Sequence, residues 1–236
     1  MGSTFLTAEW RKLAMANYTV DPAVLQPFVP AKTELDYWNN QCYVSLVGFM
    51  FLNTKLKGIP IPFHTNFPEV NLRFYVRYMD GGAWKRGVVF IKEIVPQPAL
   101  TFVANAVYNE NYETLRMKHD IRASANALSV SYEWKKGRWH SFAVTAHPHT
   151  IAIGEGSEEE FITEHFWGYT KLTSMRSSEY QVEHPRWKVY PVNEFTIDVD
   201  FGVVYGERFD FLRTQSPQSV FLAEGSEIIV RLGRKI

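Results

Sequence analysis

The stretch FPEVNLRFYVRY, residues 67–78, alternates polar and apolar residues without a break from Glu69 onward. Successive side chains of a β-strand point to opposite faces. Val70, Leu72, Phe74, Val76 and Tyr78 therefore share one side, and Glu69, Asn71, Arg73, Tyr75 and Arg77 the other. One side suits a core. The other stands a carboxylate, an amide, a phenol and two guanidinium groups in a row, and two readings of that row are open. In an antiparallel sheet with one wet face it is a solvated surface; in a sheet folded round a pocket it is a polar lining.

Working outward, residues 41–52 are apolar on both parities, as expected of a strand buried on two sides. The connection 53–68 carries Gly58, Pro60, Pro62 and Pro68 and is long for a compact domain, where such loops often serve as lids or binding loops. After the alternating strand, Asp80-Gly81-Gly82 reads as a hairpin turn, with a partner strand over 84–95. Pro96 and Pro98 end that strand. Ala99, Leu100, Val103, Ala106 and Val107 then recur at helical spacing before a polar and aromatic turn, 108–113, that can face a cavity.

Elsewhere Asp21-Pro22 opens a short helix through Phe28, stopped by Pro30. Segments 127–134 and 138–146 flank Lys135-Lys136-Gly137 as a second hairpin. Ser157 and Glu160 form a capping box for a helix reaching about Trp167, its glutamates expected in water. Strands are expected over 169–174, 180–183, 194–200 and 219–231, the last with a break at Gly225.

The chain has 236 residues, enough for one sizeable core, and lacks a long polar linker, so a single domain over 1–236 is expected. Its 25 basic and 25 acidic residues balance, which argues against nucleic acid and against a membrane surface as partners. No stretch approaches the apolar length of a membrane span, and the single cysteine, Cys42, forms no intrachain disulfide; a cytoplasmic protein is expected. Seventeen Phe, twelve Tyr and seven Trp suit either a β core or a pocket for an apolar ligand, and leave room for a homo-oligomer.

Phosphate loops, dinucleotide fingerprints, zinc-protease motifs and nucleophile elbows are missing, and no cofactor is expected. His147-Pro148-His149 offers two imidazoles without a third ligand at a diagnostic spacing, so no metal is expected. On the 69–78 face, Glu69 and Asn71 stand about 7 Å apart and Arg73 a similar step further. Arg73 can hold a ligand carboxylate in a bidentate fork, or else pair with a carboxylate of a neighbouring strand. His184, beside Trp187, is a tunable acid or base if buried, or a structural histidine.

The 67–76 strand, the turn at 109–117, the segment His184-Pro185-Arg186-Trp187 and the ending SVFLAEG over 219–225 together resemble the DUF2071, or YqjF-like, family across nearly the whole chain. That family in turn resembles the acetoacetate decarboxylases. The resemblance implies a predominantly antiparallel α+β fold, a β-barrel or cone with a few flanking helices around a small-molecule pocket. It places Glu69 on the decarboxylases' pocket glutamate and turns Asn71, Arg73 and Tyr75 inward with it. The decarboxylases' Schiff-base lysine pair falls on Tyr112 and Glu113, and their arginine near Thr19. A phenol and a carboxylate cannot form an imine. Ordinary acetoacetate decarboxylation is then not expected unless Lys92 or Lys118 reaches the pocket. The expected ligand is a small organic acid or carbonyl compound. Glu69, Tyr112 and Glu113 are the candidate catalytic residues and Asn71, Arg73, Tyr75 and His184 the candidate ligand contacts, in a non-imine lyase or isomerase or in a non-catalytic binding protein.

Overall fold

A computed structural model of the chain describes residues 2–108 and 110–236. Asn109, which begins the 109–117 turn, lies outside them. Seven strands organise the molecule: β1 (Thr4–Val20), β2 (Cys42–Leu56), β3 (Phe67–Asp80), β4 (Ala83–Val95), β5 (Trp167–Lys171), β6 (Ser177–Glu183) and β7 (Ser219–Arg231). Each pairs with its successor, and β7 pairs back with β1, so the ladder returns on itself. All these pairings are antiparallel except β4–β5. Two seams are slight: β4 meets β5 only at Trp167↔Gly87 and Gly168↔Val88, and β6 meets β7 only at Val182↔Val230 and Glu183↔Ile229. The result is a strand-rich, mostly antiparallel sheet curled into a ring with seams, rather than an unbroken barrel.

A second sheet, in the order Val192–Asp198, Arg138–Ala146, Leu128–Lys136, Arg116–Ala123, packs on the outside of the ring. Its inward residues Tyr132, Trp134, Phe142 and Val144 share one apolar cluster with Val44, Leu46, Val70, Leu72 and Phe74 of β2 and β3. Burying a side chain of this size stabilises by roughly 1.5–3 kcal/mol. Gly48 makes the contact close: a Cβ there would lie 2.6 Å from the Tyr132 ring, whose hydroxyl donates to the Lys12 carbonyl at 2.7 Å. Inside the ring a second cluster gathers Tyr43, Val47, Phe49, Phe51, Phe67 and Trp187. β2 and β3 are thus buried on both faces.

The local signals act where expected. Gly81 and Gly82 take positive φ in the β3–β4 turn, and Gly137 does so in the second hairpin. Asp21 accepts from the Ala23 amide at the start of Pro22–Leu25, which continues as a 3-10 turn through Phe28. Ser157 accepts from the Glu160 amide, but its helix, Glu158–Thr163, stops before Trp167 because Trp167 begins β5. Two of the three glutamates of that helix are not left to water: Glu158 accepts from Ser219, and Glu160 pairs with Arg186 at 2.6 Å. β7 runs through Gly225 without ending, its positive φ bringing Gly225 against the Trp10 carbonyl.

β1 carries no alternation signal because a register shift between Arg11 and Ala14, with Lys12 at positive φ, breaks its parity. The strand Arg116–Ala123 and the helix Phe201–Tyr205 also lack a signal in the sequence. No described helix is long and apolar enough to cross a membrane.

If the two sheets meet as tightly as the Gly48–Tyr132 contact requires, Gly48→Ala destabilises by about 1–3 kcal/mol through overpacking. The Gly48→Ala/Tyr132→Leu double variant loses less than the sum of the single losses, which urea unfolding of the four proteins measures.

Candidate functional site

The polar row of β3 turns into the ring. Glu69, Asn71, Arg73 and Tyr75 are 2, 1, 7 and 1% exposed, so the solvated-surface reading fails for them. Arg77, further along the same face, is partly exposed and pairs with Glu34 at 2.6 Å. Across the sheet Asn71 stands opposite Glu93 of β4, and Glu93 opposite Tyr112 of the short strand Tyr112–Thr114, which lies parallel to β4 beyond the β5 seam. A bulge between Leu72 and Arg73 pairs Arg73 with Phe90 and leaves Ile91 as the extra residue. It sets both Phe90 and Glu93 toward the interior, where in a regular strand they would face opposite ways.

Glu69, Asn71, Arg73, Phe90, Glu93 and Tyr112 line a cavity of about 380 Å³. Its apolar wall includes Trp10, Phe49, Phe67, Phe90 and Trp187, and Ile61 and His64 from the 53–68 connection also border it. The polar part holds Glu69, Glu93, Glu110, Asn71, Arg73 and Tyr112, with Tyr180, His165 and His184.

Asn71 Nδ2 donates to Glu69 Oε1 at 2.9 Å, and the Tyr112 hydroxyl donates to Glu69 Oε2 at 3.3 Å. Burial pushes the Glu69 carboxyl up to about 7, against these two hydrogen bonds and the charge of Arg73. Glu110, accepting from Thr170 at 2.8 Å, is likewise pushed by burial to about 7. Glu93 lies well above the usual carboxyl range through burial and the neighbouring Glu110 and Glu69. Burial and the same carboxylates raise Tyr112 and Tyr180. Burial thus lets these carboxyls keep their protons to a higher pH than exposed carboxyls do.

At the Tyr75 end, His165 Nε2 donates to Asp36 Oδ2 at 3.2 Å. Against burial, hydrogen bonds from His165 and Arg86 hold Asp36 down to about 2, while burial lowers His165 to about 4 and keeps it neutral. Asn71 Oδ1, Arg73 Nε, Glu93 Oε2 and His165 Nδ1 are all buried without a hydrogen-bonding partner among the described residues, and all four belong to residues lining this cavity. A buried polar atom costs roughly 1–3 kcal/mol when left unmatched, so their gathering in one space marks it as built to hold polar chemistry.

The residues expected here divide. Glu69, Asn71, Arg73, Tyr112 and His184 border the cavity, His184 stacked on Trp187 at 4.2 Å. Tyr75 does not: its hydroxyl bonds Ser45 at 2.7 Å, and its ring packs on Phe161 and His165. Glu113 does not either, because alternation in its short strand sends it outward when Tyr112 points in. It pairs there with Lys92 and Lys136, each at 2.8 Å. Lys92 faces the same outer side and also donates to the Val204 carbonyl at 2.6 Å; Lys118 sits over the Trp139 ring. Among the described residues no lysine lines the cavity, and neither does Thr19, whose carbonyl accepts from Gln215. Glu93, Tyr180 and His165 were not anticipated. The available hint at Glu93 is a carboxylate inside the apolar run 88–95.

The model of DUF2071, a family of uncharacterized conserved proteins, matches residues 7–227. The uncharacterized protein YqjF of Bacillus subtilis (strain 168) is 26% identical over 191 residues, 79% of this chain and 75% of that protein. Among solved structures, the enduracididine biosynthesis enzyme MppR complexed with pyruvate has a TM-score of 0.68 at 12% identity, covering 100% of this chain and 91% of its own. An acetoacetate decarboxylase-like enzyme from Sphingomonas wittichii RW1 gives 0.67 at 10% identity, with 99% and 94% covered. The acetoacetate decarboxylase of Legionella pneumophila gives 0.65 at 11%, with 99% and 88% covered. At these identities the likeness is one of fold. The matched length, together with the similarity of fold to these structures, makes the conclusion plain: this chain belongs to the DUF2071 family and has the acetoacetate decarboxylase-like fold.

Proposed function

We propose that the cavity binds a small carbonyl compound bearing a carboxylate and moves a proton on it without passing through an imine. The observation that carries this reading is the buried set Glu69, Tyr112 and Arg73: a carboxyl near 7, a phenol donating to it, and a guanidinium whose Nε has no partner among the described residues. Arg73 holds the ligand carboxylate. Ionised Glu69 takes a proton from the carbon next to the carbonyl, and the electron pair moves to the carbonyl oxygen, which accepts a proton from Tyr112 or protonated Glu93. A base with a value near the working pH suits this step. Returning the proton to another carbon makes an isomerase; expelling a leaving group from the enol makes a lyase.

The test is exchange of the carbon-bound protons of 2-oxobutanoate and related oxo acids in deuterated water, followed by NMR. The protein accelerates exchange, and Glu69→Gln slows it by roughly 10²- to 10⁴-fold. Binding without exchange would identify a carrier instead of an enzyme. Borohydride treatment with acetoacetate leaves the intact mass unchanged; an adduct on Lys92 would overturn the imine-free route.

The buried carboxyls also set the pH dependence of stability. The folded state keeps protons on Glu69 and Glu110 that the unfolded chain releases above its ordinary value of 4.5. Their contribution is full below 4.5 and is lost as pH rises through about 7. The urea midpoint therefore falls across this window, and the Glu69→Gln/Glu110→Gln double variant shows a smaller fall.

A further inference from the structure

The cavity's charges are unevenly supplied with partners. Arg231, at its border, is already held by both carboxylate oxygens of Glu183, each at 2.8 Å. Arg73 donates to the Ile162 carbonyl at 3.5 Å and acts on Glu69. Glu93 and Glu110 have no such help. Glu110 receives the Thr170 hydroxyl, Glu93 has only the neutral Tyr112 hydroxyl to draw on and its Oε2 finds no partner among the described residues, and the charged groups that act on Glu93 are the other two carboxyls. Two carboxyls in one desolvated space cannot both ionise without a cation between them. Tyr112 and Tyr180 line the same cavity, and aromatic rings are among the groups that a cation favours.

Position along the sheet separates this acidic end from Arg73. Glu93 stands across from Asn71, and Arg73 is two residues beyond Asn71 on the same face. Their backbones are then about 8 to 9 Å apart, one strand spacing across and two residues along. A ligand a few carbons long spans that gap once the side chains reach inward.

We propose that the ligand of this cavity is a zwitterion, a small organic acid whose carboxylate meets Arg73 and whose far end carries a cationic nitrogen held between Glu93 and Glu110. This rests on the acid-binding reading above and adds the second charge. The probe pair is 5-aminopentanoate and hexanoate, which differ by an ammonium in place of a terminal methyl, with 4-aminobutanoate and 6-aminohexanoate to scan length.

Titration calorimetry at neutral pH is expected to show the best amino acid of the series binding at least about tenfold tighter than hexanoate, as a charge-assisted contact provides. In buffers of different ionisation enthalpy it shifts the proton balance toward release relative to hexanoate, because the ammonium drives protons off the carboxyls. Glu93→Gln and Glu110→Gln, each checked for folding by its thermal transition, both erase the preference. Hexanoate binding as tightly as every amino acid overturns this inference alone, as does a preference that survives in both variants. Binding of neither hexanoate nor the amino acids, nor of any oxo acid, overturns the acid-pocket reading with it.

Discussion

The pleat of β3 is the constraint on which the rest depends. Its alternate residues must go to opposite sides, and neither side is open to water, because the second sheet covers the outside of the ring and the ring itself encloses the inside. Val70, Leu72 and Phe74 find a dry interface between sheets. Glu69, Asn71 and Arg73 are carried inward by the same geometry, with no surface to escape to. The polar cavity is thus the necessary counterpart of the sheet-to-sheet core. Whatever strengthens the Tyr132 packing on Gly48 also holds the carboxyl row in place.

Burying several ionisable groups in one space is costly, and the chain meets the cost in two different ways. At the His165 end it supplies partners: Asp36 is satisfied by His165, Arg86 and the Tyr37 amide, and stays ionised. At the Glu93 end it supplies few, and the carboxyls hold protons instead. The first arrangement matches the Asp36 charge within the protein, while His165 Nδ1 is left without a partner among the described residues. The second leaves a carboxyl oxygen unmatched, at Glu93 Oε2, with other carboxyls as the charged neighbours.

The fold was legible where local chemistry and parity agree. The unbroken alternation from Glu69, the Asp80-Gly81-Gly82 turn and the doubly apolar run 41–52, which falls in β2, sufficed to read a β-built core. What stayed hidden follows from irregularity. A bulge at Ile91 changes the parity of β4, so Phe90 and Glu93 look opposed in sequence yet face one cavity. A register shift near Lys12 does the same to β1 and concealed the strand altogether. His165 lies between the Glu158–Thr163 helix and β5, where no periodicity applies, and meets Asp36 from 129 residues away. The resemblance places Glu113 inward beside Tyr112, but the two are neighbours on one strand and so face opposite ways.

The double ion pair of Glu113 has a consequence for how such a site changes over evolutionary time. Lys92 and Lys136 grip Glu113 from outside, and by doing so choose which of two adjacent residues faces the cavity. Loss of a single residue from the connection between β4 and the Tyr112–Thr114 strand, with the rest of the ladder unmoved, would exchange the phenol for a carboxylate inside and leave both lysines without their counter-ion. The outer clasp therefore acts as a frame-keeper: it makes one-residue length changes in that connection expensive while leaving the identity of the inward residue free to vary. A family can then exchange the chemistry presented at this position by substitution without disturbing the sheet that presents it.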